Sequence, residues 1–505
     1  MSHQDRNQKP KPQPKPQPKP QAKPQAKPQA KPQAKPQAGS DGGGGSVPRL
    51  NSVYLGQALQ WLLARVDWKS VRFRDDCSWT SRWLAMAALL WAWSDEGTLG
   101  ERFFAARRLV AHLHPQEPEQ GPLATSYQAF IKLLGRWTAV LVALLMTAYR
   151  QRLQESLGDS WKVAGFVVFG ADGSRGELPR TKSHEAAYSP SPERSGKKQR
   201  DRRKQPKQAA HAKKANVPQI WITTMLHIGS GLPWDWRTGP SDSSERAHTL
   251  AMMESLPPKS LLTADAGFIG YDFADSYLKA GHHVILRVGA NVRLLKNLGY
   301  VEESEGLVYL WPEKAAKKCQ PPLVFRLIVA QGPRHPIYLL TSVLDPNELS
   351  DAQVFEIYKK RWGIELFYRH LKQTFQRRKL RSASAANAAL ELEWSLIGLW
   401  AMGLFACMEM QRAKIPLKRI SMAGVLRVFR RLMRDYLHPA DPWRPLCRQL
   451  REALVDEYVR KNKQSRDYPR KKPHIRTGPP NIVPASEKQV QQAKTLKNAI
   501  AAKKG

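Results

Sequence analysis

Four residues within one segment, LSDAQVFEIYKKRWGIELFYRHLKQTFQRRKLRS, carry the strongest chemical pattern in this chain: Tyr358, Arg361, Glu365 and Lys372. On a helix of 3.6 residues per turn, Tyr358, Glu365 and Lys372 recur every seven residues and Arg361 lies four before Glu365, so the four share one stripe. A carboxylate flanked by a phenol and two cations suits holding a metal ion beside phosphates, although a salt-bridged helix face gives the same spacing. Two upstream acids shift that balance. Asp172 follows the β-rich run KVAGFVVFGA, and Asp265 follows the apolar run SLLTA, so each is expected where a buried strand delivers it to a sheet edge. Glu356, nine residues before Glu365, would face the other side of the helix, and Trp362 is expected to pack inward.

Asp172, Asp265 and Glu365 form the candidate set for two hard divalent cations. Such a pair activates water or a 3′-hydroxyl and stabilises the leaving oxygen in phosphodiester chemistry. Mg²⁺ prefers oxygen ligands and keeps several waters, so a few carboxylates suffice, with Mn²⁺ as an alternative. Asp172, from the central strand, is the expected shared ligand. Arg361 can clamp a phosphate bidentately and Lys372 can act as a point charge.

The chain has 505 residues, with 81 Lys and Arg against 43 Asp and Glu, a formal charge of +38. Three stretches, 1–50, 194–214 and 460–505, supply 28 of that excess. Such charge points to a polyanionic partner, nucleic acid or an anionic membrane surface. Cys77, Cys319, Cys407 and Cys447 show no CxxC pairing, which argues against a zinc knuckle or disulfide framework and fits buried free thiols in a reducing cytoplasm. The KPQ-rich start has no apolar core of a secretory signal. The longest apolar runs, 83–93, 137–148 and 396–408, fall short of the roughly 18 to 20 residues that span a bilayer and read as core helices.

The pattern divides the chain into seven parts. Residues 1–47 read as a disordered Lys/Pro/Gln-rich tether. Residues 48–158 read as a helical DNA-binding region, with capping boxes at Thr98/Glu101 and Thr125/Gln128 and interspersed Arg72, Arg74, Arg82, Arg102, Arg107 and Arg108; a solvated basic scaffold face explains the same arginines equally well. An α/β core spans 159–289 and 337–412, interrupted by a β-rich insertion at 290–336. Within it Asp242 with Glu245 is expected to cap one helix, and Ser350 with Gln353 to cap the helix carrying the stripe. A C-terminal helical region covers 413–460, and a basic, disordered tail covers 461–505.

VFGADGSRGELPRT, LLTADAGFIGYDF and IYKKRWGIELFYRHLKQTF resemble the three signature regions of DDE transposases of the insertion-sequence-four family, a bacterial type marked by a Tyr-Arg-Glu-Lys helix. The resemblance covers roughly residues 50–410. It implies an α/β fold: a ribonuclease H-like core with a β-rich insertion, preceded by a helical domain and the disordered basic tail. It also implies that Asp172, Asp265 and Glu365 ligate two Mg²⁺ ions, and that Tyr358, Arg361 and Lys372 contact terminal phosphates. Trp311 is the positional candidate for the base-stacking residue of the insertion, with a buried tryptophan of a small β domain as the simpler alternative. The implied partners are DNA, as terminal inverted repeats and target duplex, and a second copy of the chain in a homodimeric end complex, with no membrane and no small-molecule substrate; the implied setting is the nucleoid of a prokaryotic cytoplasm. A domesticated or inactive DNA-binding derivative, or a ribonuclease H-like nuclease without strand transfer, are the alternatives.

Overall fold

The computed structural model describes residues 50–113, 123–190, 218–332, 335–436, 445–456 and 478–502. The tether at 1–47, the basic stretch at 194–214 and the tail from 461 to 477 lie outside the described residues.

Ten strands form one sheet. They are β1 (Val168–Glu177), β2 (Gln219–His227), β3 (Leu232–Gly239), β4 (Leu261–Ala264), β5 (His283–Val288), β6 (Arg293–Lys296), β7 (Leu307–Leu310), β8 (Leu323–Gln331), β9 (Pro336–Thr341) and β10 (Asn481–Pro484). Their order across the sheet is β10-β6-β7-β8-β9-β5-β4-β1-β2-β3. β1, β2 and β3 form an antiparallel meander, while β4 runs parallel to β1 and β5 parallel to β4. The apolar residues Val168, Phe169 and Ala171 are buried, so β1 is held by strands on both sides in the sheet interior.

The sequence at 290–336 is β-rich, as expected, and its strands β6, β7 and β8 belong to the same sheet as the core. β9 pairs antiparallel with β5, and β8, β7 and β6 continue the same ladder outward. The tail expectation needs correction at its end. β10 adds to the outer edge parallel to β6, and Glu487–Ala502 forms a helix. That strand covers the edge that β6 would leave unpaired, which offsets the cost of open backbone groups.

Helices α1 (Leu50–Leu63), α2 (Ser81–Trp93), α3 (Leu99–Leu113) and α4 (Tyr127–Leu157) make the N-terminal region helical, as expected. The Thr98/Glu101 capping box is present, with Thr98 N–H on Glu101 Oε2 at 2.7 Å and Glu101 N–H on Thr98 Oγ1 at 3.1 Å. The next helix instead starts one residue later than expected, on Ser126, whose hydroxyl accepts from Ala129 N–H. Two of the arginines assigned to a DNA face are tied inward: Arg102 is buried and donates to the Glu96 carbonyl, and Arg107 donates to the carbonyls of Leu123 and Ala124.

The helix Ala385–Arg412 is apolar almost all round and buried, the usual fate of such a sequence. It packs on α4 and α2. By length and composition this helix and Tyr127–Trp161 are both long and apolar enough to cross a membrane, but 89% of the apolar window of Ala385–Arg412 is buried inside the fold, as for a core helix. Of the four free cysteines only Cys407 is buried; Cys319 is exposed, and Cys77 and Cys447 are intermediate.

Candidate active site

The Glu365 segment is not one straight helix. Ser350 and Gln353 form the expected capping box and start a helix at Asp351–Lys360. The chain then turns at Arg361 and Trp362, resumes as Gly363–Arg369, and ends in a π-turn at His370–Thr374. The stripe survives this break. Tyr358, Arg361 and Glu365 face Asp265 and Asp172, and Lys372 reaches Ser174, two residues beyond Asp172 on β1.

Asp172 sits in the middle of β1, opposite Thr224 of β2, rather than at a strand end. The strand runs on beside β2 to Glu177, whose N–H and carbonyl are also taken by Arg378 and Leu380, just past the π-turn. Asp172 Oδ1 accepts its neighbour's amide, Gly173 N–H, at 2.9 Å. Asp265 follows Ala264, the last residue of β4, as expected. Its Oδ1 accepts from Ala266 N–H at 2.8 Å and from the Tyr358 hydroxyl at 3.2 Å, with Arg287 Nη1 3.5 Å away. Arg361 Nη2 lies 3.9 Å from Glu365 Oε1, and its guanidinium stacks over the Tyr358 ring.

The three acids share one electrostatic field. Burial raises the Asp172 carboxyl above its ordinary range, opposed by the Gly173 amide and Arg361 and reinforced by Asp265. Burial likewise raises Glu365, with Arg361 opposing and Asp172 and Asp265 adding to the rise. Three segments about a hundred residues apart therefore deliver their carboxylates to one place. Among the described residues no three His, Cys, Asp or Glu side chains close into a ready-made metal cage. The donor set, three carboxylates, offers the oxygen ligands that a hard divalent cation takes.

Three further residues complete the site. Tyr368 Oη lies 2.9 Å from the Asp172 carbonyl and 3.0 Å from the Ile222 carbonyl, so the Glu365 helix is pinned to β1 at the acid itself. Glu245, in the first turn of the helix Glu245–Met252, is raised by burial and then by Asp172, with Arg175 opposing and Asp265 reinforcing. Arg287 lies on β5. The sequence held faint signals for them: Tyr368 is three residues after Glu365 on the same face, and Arg287 is the charged residue of an apolar strand. Glu245 does not cap its helix; Ser244 does, accepting from Ala247 N–H. Two glycines make room. A Cβ at Gly173 would come within 2.5 Å of Glu245 Oε1 and 2.7 Å of the Trp221 ring, and one at Gly170 would crowd Ile228 at 3.0 Å beside the Arg361 stem.

Of two tryptophans, one takes the packed alternative and the other departs from expectation. Trp311 is 4% exposed and its indole N–H donates to the Gln320 carbonyl, so in this conformation it is a packed residue of the sheet and not an open base platform. Trp362, expected inside, is 58% exposed. The turn that aims Arg361 inward sends its neighbour outward.

Residues 180–400 match the family described as "Transposase DDE domain", a range that includes Asp265 and Glu365 and begins after Asp172. The chain is 26% identical over 242 residues to the Escherichia coli (strain K12) transposase InsG for insertion sequence element IS4, a match covering 46% of this chain and 50% of that protein. Both likenesses are to DDE transposases, one of them of insertion sequence element IS4. The matched region thus spans about half the length of that relative. The cryo-EM structure of the piggyBac transposase synaptic complex with hairpin DNA aligns with a TM-score of 0.37 at 12% identity, covering 83% of this chain and 89% of that one.

Proposed function

We propose that the chain is a DNA transposase that binds terminal inverted repeats, cleaves the element ends and joins the 3′-hydroxyls to target DNA. The observation that carries this reading is the convergence of Asp172, Asp265 and Glu365 from β1, β4 and the late helix into one field. The strand order β3-β2-β1-β4-β5, with the meander antiparallel and the rest parallel, supports a ribonuclease H-like core.

Asp172, Asp265 and Glu365 are the residues that would hold two Mg²⁺ ions, or Mn²⁺ in their place, which when bound activate the attacking oxygen and neutralise the leaving one. The chain's own residues do the positioning. Tyr358 and Arg287 fix the Asp265 carboxylate, Tyr368 fixes the β1 backbone at Asp172, and Arg361 balances the charge of Asp172 and Glu365. Lys372, half-buried on Ser174 with its ammonium pKa lowered by burial, and Arg361 are the cations set to receive an end phosphate. Water attacks that phosphate, and the freed 3′-hydroxyl then attacks the opposite strand or the target. The protein acts as a homodimer on paired ends, in a prokaryotic nucleoid, with neither a membrane nor a small-molecule substrate involved.

The test is cleavage and strand transfer of labelled inverted-repeat DNA with Asp172→Asn, Asp265→Asn and Glu365→Gln. Each variant should bind ends and fail to cut them; retained cutting removes that residue from the set. Binding by the parent with no divalent-dependent cleavage would favour a DNA-binding derivative, and cleavage without joining a nuclease.

A further inference from the structure

Lys372 reaches Ser174 from within the π-turn, and the chain has to close that turn behind it. Three backbone bonds do so: Phe375 N–H donates to the His370 carbonyl at 2.9 Å, Arg377 N–H to that of Leu371 at 3.0 Å and Arg378 N–H to that of Lys372 at 3.2 Å. The closure is strained. Between these donors Gln376 has a φ of 57°, a left-handed conformation that a residue with a side chain keeps only where its surroundings over-determine it.

Arg377 supplies that constraint. It is 4% exposed, and its guanidinium bridges three segments: Nη1 donates to the Phe375 carbonyl at 2.8 Å, Nε to Ser395 Oγ at 2.7 Å and Nη2 to the Ala92 carbonyl at 3.2 Å. One fork thus joins the π-turn, the helix Ala385–Arg412 and α2. Ala92 lies in the last turn of α2, whose final carbonyls have no partner within the helix, and Arg430 Nε takes the next one, that of Trp93, at 2.8 Å. Cations suit that end of a helix. The arrangement is nevertheless costly, because all three acceptors are uncharged and burial, with Arg102 adding and Glu391 opposing, pushes the Arg377 pKa down. A buried guanidinium without a carboxylate in contact is a poor device for stability alone. What it offers is a planar fork that meets three fixed oxygens at once, which neither a flexible ammonium nor an apolar chain can do.

We propose that Arg377 is a positioning residue: it fastens the Lys372 turn to α2 and to Ala385–Arg412, so that the ammonium is presented at Ser174 while Arg377 itself touches no substrate. The inference rests on the reading of Lys372 as a contact to an end phosphate. It makes α2 part of the geometry of the acid site, although α2 contributes no residue to it.

The test compares the full-length parent with Arg377→Lys, which keeps the charge and loses the fork. Without DNA, hydrogen exchange of the amides at 375–378 should quicken in the variant, while those of α4 stay at parent rates. On labelled inverted-repeat ends the salt dependence of binding should flatten by about 0.9 in the log–log slope, the loss of one phosphate contact, although a side chain this buried cannot reach a phosphate. Adding Lys372→Ala to Arg377→Lys should remove nothing more. A parent slope in Arg377→Lys, or a double variant that loses twice as much, overturns the proposal. Arg430→Met is the control, since Arg430 Nε holds the adjacent α2 carbonyl and bonds to no atom of the turn. It should melt lower and keep the slope; a matching loss of slope overturns a role particular to Arg377. Where Arg377→Lys fails to fold, Ser395→Ala removes one of the three acceptors and should act in the same direction with smaller size, and unchanged exchange and slope there overturn the proposal too. End cleavage by the parent separates the two readings: a parent that cuts no ends, with a turn that opens in Arg377→Lys, sinks the transposase reading and leaves the fastening in place.

Discussion

Two groups of carboxylates in this molecule are treated in opposite ways. In the helix Ala385–Arg412, Glu391 is 1% exposed and its Oε2 accepts from Arg381 N–H, Ser382 N–H and the Ser382 hydroxyl at 2.9 to 3.0 Å. It lies in the field of Arg102 and Arg377, and Arg377 is itself fastened to Ser395, Phe375 and Ala92. Glu409 in the same helix is held by Arg412 at 3.1 Å and Arg451 at 3.6 Å. Asp172 and Glu365 instead take few donors and face other acids. The first group is bound by donors of the fold, with three on Glu391 Oε2 and two arginines on Glu409, though Glu391 Oε1 has no partner among the described residues. The second is left under-compensated, which raises its proton affinity and reserves oxygen lone pairs for an incoming cation.

The largest effect should separate the groups outright. Asp172→Asn should lower end cleavage by roughly a thousandfold or more, measured on labelled ends, yet in chelator-containing buffer it should melt no lower than the parent at neutral pH. Because the folded state binds the Asp172 proton more tightly than the unfolded chain does, ionisation costs stability above the raised folded value. The variant's advantage should thus be full above the raised folded value, shrink as pH falls through it and vanish below the ordinary aspartate range. A variant that melts lower at pH 7 would place Asp172 with the donor-bound acids.

Glu391→Ala should do the reverse. Its removal leaves the Arg381 and Ser382 amides and the Ser382 hydroxyl without their acceptor and takes a compensating charge from the field of buried Arg377, at a cost of about 3 kcal/mol, read from chemical denaturation. Cleavage per folded molecule should stay near that of the parent. Gly173→Ala comes next, at about 1 to 3 kcal/mol, since its Cβ must displace Glu245 or Trp221; it joins the two ledgers by costing both stability and cleavage. Tyr358→Phe removes one hydrogen bond to Asp265, worth about 1 kcal/mol, and should lower cleavage with little change in melting. Smallest is Lys372→Ala, which should flatten the salt dependence of end binding by about 0.9 in the log–log slope, the loss of one phosphate contact. An unchanged slope would leave Lys372 as a partner of Ser174 alone.

How far each feature could be read varied with how local its cause is. The Ser350/Gln353 capping box depends on residues three apart, and the structure has it as expected. The same reasoning erred by one residue at Ser126 and by two at Ser244, because neighbouring hydroxyls compete for the same amides and packing chooses among them. Trp362 was misread for a related reason. Helical periodicity points it inward only if the helix is continuous, and the chain turns at that residue.

Sequence alone determined the acid set as candidates, the helical stripe and the alternation of strands and helices, because residue type, spacing and short-range capping are properties of contiguous chain. Tertiary structure decided the rest. It placed Asp172 within β1 and not at its end, recruited Tyr368, Arg287 and Glu245, extended the core sheet through the β-rich stretch at 290–336 and closed its edge with β10. Those outcomes depend on pairings between residues tens to hundreds of positions apart, selected by burial and by the need to satisfy backbone groups, and no local pattern specifies such a choice.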